Sequence, residues 1–150
     1  MVRRGLSTLA LAVALLSLLG AVAAADTLIG TDASDQLQGT PSPDQLYGEA
    51  GDDELLGFGA ADYIEAGSGD DRVDGGGGFD LLLGGTGDDQ IDGSVGGDVV
   101  YAGAGQDLVL GGQGGDTLFG QDGSDRLFGG SGRDRIYASL GADFVEGGSG

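Results

Sequence analysis

Aspartate returns every nine residues through this chain without a lapse, at Asp26, Asp35, Asp44, Asp53, Asp62, Asp71, Asp80, Asp89, Asp98, Asp107, Asp116, Asp125, Asp134 and Asp143. Little else in the sequence could do chemistry. There is no His and no Cys, which removes the usual zinc site, the Ser-His and Cys-His nucleophiles and the disulfide staple. No H-E-x-x-H or G-x-S-x-G is present, so the 150 residues carry no recognisable catalytic motif and read as non-enzymatic. From Asp26 onward, 25 acidic residues face only Arg72, Arg126, Arg133 and Arg135, a net charge of −21. Such a polyanion repels nucleic acid and anionic lipid and needs cationic partners, of which a metal ion is the first candidate.

The elements that position these carboxylates follow from the same interval. Cut every nine residues from Gly30, the chain gives "GTDASDQLQ", "GTPSPDQLY", "GEAGDDELL" and so on to a final "GGSG", with no insertion or deletion. Asp is the sixth residue of each frame, and an aliphatic residue is always the eighth, from Leu28 and Leu37 to Ile136 and Val145. Gly fills most first and fourth places, supplying positive φ and letting carbonyls crowd inward. The first six residues therefore read as a turn. The last three read as a very short strand whose central aliphatic faces a core. Turn and strand in strict alternation make an all-β solenoid.

The frames resemble the RTX, or haemolysin-type, calcium-binding nonapeptide G-G-x-G-x-D-x-U-x. Those at Gly75, Gly84, Gly111 and Gly129 match at every fixed place, and those at Ala66 and Ala102 differ only by Ala for Gly. The resemblance implies a right-handed parallel β-roll with two nonapeptides per coil and two sheets of short strands. It also implies Ca²⁺ between turns of successive coils, held by sixth-place carboxylates and backbone carbonyls. On this reading the ligands are Asp53, Asp71, Asp80, Asp89, Asp98, Asp107, Asp116, Asp125, Asp134 and Asp143. Weaker sites are expected on Asp35, Asp44 and Asp62, where Ala33, Ser42 and Ala60 replace the fourth-place Gly and Pro41 and Pro43 stiffen one turn. Calcium suits an all-oxygen donor set, because it takes six to eight oxygens in forgiving geometry whereas Mg²⁺ demands a strict octahedron. Pairing each turn with the one two frames on allows at most 12 sites among 14 turns, and neutralising the net charge takes about ten divalent ions. The doublets Asp52-Asp53, Asp70-Asp71 and Asp88-Asp89 recur every 18 residues and should stack along one edge, where they repel one another without metal.

One aliphatic residue per nine is a thin core for a Gly-rich polyanion, so the metal-free chain is expected to be largely disordered and to fold on binding calcium. The first 25 residues have a basic start, an apolar run from Leu6 to Leu19 and a small-residue exit at Ala23-Ala24-Ala25. That is the layout of a secretory signal peptide cleaved before Asp26, the alternative being an uncleaved anchor over Leu6 to Ala25. The expected location is extracellular or on the cell surface, with no membrane contact after cleavage. The sequence stops in mid-repeat at Gly150 with no visible cap, as a fragment would, or as a roll whose last coil pairs end to end with another chain.

Outward residues 18 apart share a sheet, and one sheet carries Leu83, Tyr101, Phe119 and Tyr137 in a row, with Leu81 and Val99 beside them. Such a row can be a glycan or protein partner surface or plain packing between neighbouring strands. Two function classes follow: a calcium-dependent structural or adhesive module, or the non-catalytic repeat portion of a secreted RTX protease, lipase, polysaccharide-modifying enzyme or toxin.

Overall fold

A computed structural model of the chain describes residues 25–150; all but the last residue of the leader expected over residues 1–25 lies outside the described residues. Every strand pairs in parallel with the strand 18 residues away, so each coil holds two nonapeptides. Seven strands form the first sheet in the order β1 (Thr27–Ile29), β3 (Gln45–Ala50), β5 (Tyr63–Ser68), β8 (Leu81–Thr86), β11 (Val99–Gly105), β13 (Thr117–Gly123) and β15 (Arg135–Leu140). The second runs β2 (Gln36–Gln38), β4 (Glu54–Leu56), β6 (Arg72–Asp74), β9 (Gln90–Asp92), β12 (Leu108–Gly114), β14 (Arg126–Ser131) and β16 (Phe144–Glu146). Two short pieces, β7 (Gly77–Gly78) and β10 (Val95–Gly96), pair with each other beside it, and β10 also pairs with β12. No helix occurs among the described residues. The architecture is the parallel β-roll that the frames imply.

The eighth-place aliphatic is the reason for the register. With side chains alternating across each strand, the central residue of every triplet points between the sheets and stacks on its equivalent one coil away, as Leu82 does on Val100 and Val100 on Leu118. Leu46, Leu55, Ile64, Val73, Leu82, Ile91, Val100, Val109, Leu118 and Leu127 are buried there, together with Leu37. A slip of one residue would turn this whole row outward. Leu28 and Ile136 are partly buried, and Val145 is 46% exposed.

The strands are longer than three residues in many coils. β11 to β13 each run seven residues, because the first half of the following turn also pairs with its copy one coil away, as Gly103 does with Gln121 and Gly105 with Gly123. Turns of the same backbone shape stacked in register can extend the ladder even where the chain bends.

Candidate metal centre

Each turn ends on its sixth-place Asp, which is anchored from one side. The N–H of Asp44 donates to Oδ1 of Asp62 (2.8 Å), that of Asp62 to Oδ1 of Asp80 (2.8 Å), that of Asp80 to Asp98 (2.9 Å), that of Asp98 to Asp116 (2.9 Å) and that of Asp116 to Asp134 (3.0 Å). Asp26 starts this row by donating to Asp44 (2.6 Å). On the opposite edge an equivalent row climbs from Asp35 through Asp53, Asp71, Asp89, Asp107 and Asp125 to Asp143, at 2.8–3.1 Å. The nine-residue interval thus becomes two parallel carboxylate ladders, one per edge of the roll.

The second oxygen of each carboxylate is the telling one. Oδ2 is buried and has no hydrogen-bond partner in Asp53, Asp62, Asp71, Asp80, Asp89, Asp98, Asp107, Asp116, Asp125 and Asp134. It is tucked inside its own turn, where a Cβ at Gly75 would come within 2.7 Å of Oδ2 of Asp80. A buried acceptor without a donor is costly, and here ten stand in two rows. Burial, ahead of the repulsion between neighbouring carboxylates, pushes the carboxyls of Asp80 and Asp89 up to about 7 and those of Asp53, Asp62, Asp98 and Asp107 up to about 6, although the N–H each accepts pulls the other way. Asp71, Asp116 and Asp125 are raised for the same first reason. The rows call for protons or cations.

Backbone conformation shapes the rest of each turn. In all twelve turns from Gly48 onward the second-place residue has positive φ, including Glu49, Phe58, Ser94, Gln121 and Ser139, which are not Gly. The fourth-place Gly brings backbones together: a Cβ at Gly78 would run into the carbonyl oxygen of Ala60, one coil earlier. Oxygen atoms from carboxylates and carbonyls therefore crowd each edge. Among the described residues no three acidic side chains gather around one point, so a cation here would be held by sixth-place carboxylates and turn carbonyls together. These donors fit a hard divalent ion that tolerates irregular oxygen sets.

The chain matches the RTX calcium-binding nonapeptide repeat in four copies, over residues 29–57, 59–82, 83–118 and 119–150. It belongs to the RTX calcium-binding repeat family. No curated protein matches it. Membership implies that this RTX roll binds calcium, and the two Asp ladders with their unpartnered oxygens are consistent with that.

The RTX roll places the expected residues unevenly. Asp62, whose turn lacks the fourth-place Gly, is buried and aligned like its neighbours, and Ala60 in that place takes positive φ (76°). Asp35 and Asp44 lie in the ladders too, but their Oδ2 atoms already accept hydrogen bonds from Thr31 and Thr40. Asp143 accepts from Asp125 in the half-exposed last coil. The doublets stack as expected: the N–H of Asp70 donates to Oδ1 of Asp52 (3.1 Å) and that of Asp88 to Oδ1 of Asp70 (2.9 Å), a second, exposed row beside Asp53, Asp71 and Asp89. The sequence held no signal for the special second place, since its residues vary and only the backbone is shared. Ala66 and Ala102, which depart from the first-place Gly, turn out to be fully buried and part of the core.

Proposed function

We propose that this RTX roll is a calcium-dependent structural or adhesive module of the cell exterior, folded by the ions it binds. The observation that carries this reading is the set of ten buried, unpartnered Oδ2 atoms in two rows. In a chain of this net charge they make the metal-free roll self-repelling, and each bound ion relieves it. The ligands on this reading are Asp53, Asp62, Asp71, Asp80, Asp89, Asp98, Asp107, Asp116, Asp125 and Asp134, with turn carbonyls completing each set. Extracellular calcium modules work at about 10⁻⁴ to 10⁻³ M, which suits a chain that stays unfolded inside the cell and folds after export.

On the first sheet, Tyr101 stacks on Phe119 (4.6 Å between centroids, 4° between planes) and Phe119 on Tyr137 (4.9 Å, 9°). Phe119 spends both faces on its neighbours and Tyr101 and Tyr137 one each, so the geometry favours packing between coils over a platform for a sugar ring.

Calorimetric titration of the chain with Ca²⁺, followed by light scattering in the same sample, tests the proposal. Several ions per chain bound in the 10⁻⁴ to 10⁻³ M range are expected, with Mg²⁺ a poor substitute. Fewer than two Ca²⁺ per chain would refute it.

A further inference from the structure

Two turns stand apart from the other twelve. In the turn from Gly30 to Asp35, Thr31 donates to Oδ2 of Asp35 twice, from its backbone N–H at 2.6 Å and from Oγ1 at 2.8 Å. In the turn from Gly39 to Asp44, Thr40 does the same to Asp44, at 2.5 and 3.0 Å. In both, Oγ1 of the Thr also accepts the fourth-place N–H, from Ala33 and from Ser42, each at 3.2 Å. Neither Thr has positive φ, and neither does the residue at the fourth place. Three departures from the repeat therefore belong together: Thr for the variable second residue, Ala or Ser for the fourth-place Gly, and an Oδ2 whose donors are supplied by its own turn.

Asp62 shows that losing the fourth-place Gly is not the cause. Its turn carries Ala60 there, yet Phe58 in the second place keeps positive φ (75°) and Oδ2 of Asp62 stays unpartnered like those of the later rows. The second place decides. When that residue is in the left-handed region Oδ2 is left open; when it is a Thr in the ordinary region, an N–H and a hydroxyl turn inward and close it. Two donors on one carboxylate oxygen leave little room, and little acceptor capacity, for a cation.

We propose that the first two turns of the roll are metal-free, and that Thr31 and Thr40 are latches filling with hydrogen-bond donors the place that calcium takes in the turns from Gly48 onward. The proposal rests on the calcium reading above and divides the Asp rows into two classes: Asp35 and Asp44 are structural, and the ligands begin at Asp53. The first strands then have turns of their own at any calcium concentration, a short preformed edge against which β3 and β4 can pair when ions arrive.

The test compares three variants of the full chain by native mass spectrometry in calcium, counting ions. Asp35→Asn with Asp44→Asn should leave the wild-type number unchanged, whereas Asp80→Asn with Asp89→Asn, which removes the same charge from the open rows, should lower it by two or more. An equal drop in both would overturn the latch. Asn offers the two Thr donors one acceptor oxygen instead of two, which perturbs the turn itself, so Thr31→Gly with Thr40→Gly gives a second reading. These changes remove the hydroxyl and free the second place for positive φ, and the ion count should rise by one or two; a count that stays level or falls would also overturn it. A wild-type chain that binds no calcium at all fails differently, since it removes the calcium reading and not the division between turns.

Discussion

A carboxylate that accepts one N–H on Oδ1 and nothing on Oδ2 has more than half of its acceptor capacity open, and burial makes that opening expensive. The sixth-place Asp residues can close it with a proton or with a cation. The proton route has a definite sign. Carboxyls that titrate at about 7 in the roll, as Asp80 and Asp89 do, or at about 6, as Asp53 and Asp98 do, against an ordinary value of 3.8, bind more protons folded than unfolded. Their contribution to the metal-free roll is therefore fully present below about pH 4 and is lost as pH rises through 6 to 7. In EDTA, far-ultraviolet circular dichroism should show β signal at pH 4 that fades on titration to pH 7.5. In excess calcium the dependence should reverse, because protons displace the ion. A metal-free chain equally structured at both pH values would contradict the assignment of open, buried oxygens.

The short strands and their core are legible in the sequence, because a strict interval with one aliphatic per triplet leaves a single register that buries Leu46 to Leu127. The stacking of Asp52, Asp70 and Asp88 was legible for the same reason, since 18-residue spacing is one coil. The turns were not. Their decisive feature is the φ of a residue whose identity runs through Glu49, Phe58, Gly67 and Ser94, and no side-chain pattern reports it. Nor could the frames show that Thr31 and Thr40 donate to Asp35 and Asp44, because Thr in a variable place looks like any other filler. The aromatic row was visible as a row, but whether it packs or recognises depends on ring angles. The stacked angles predict that Tyr101→Ser with Phe119→Ser lowers the stability of the calcium-loaded roll by about 1–3 kcal/mol, for two stacked pairs at roughly 0.5–1.5 kcal/mol each. Thermal unfolding in saturating calcium measures this, and an unchanged midpoint would return the row to a partner-binding role.

For the whole molecule, charge is distributed unevenly between the two edges. Outside the sixth place, the turns ending at Asp35, Asp53, Asp71, Asp89, Asp107, Asp125 and Asp143 carry Asp32, Glu49, Asp52, Asp70, Asp88 and Asp122, while those of the opposite edge carry no further acid and one Arg, Arg133. Self-repulsion in the metal-free chain is thus concentrated on one edge, with the second carboxylate row at its centre. On the proposed reading a thin core does not offset that repulsion alone, which makes calcium a condition of the fold instead of a decoration on it. The most direct test is a far-ultraviolet circular dichroism and small-angle scattering titration of the chain at pH 7.5, first in EDTA and then through millimolar Ca²⁺. The account predicts an expanded chain with little β signal in EDTA, and a cooperative change to a compact rod-like β-roll as calcium is added. A compact β-roll in EDTA that calcium leaves unaltered would contradict it.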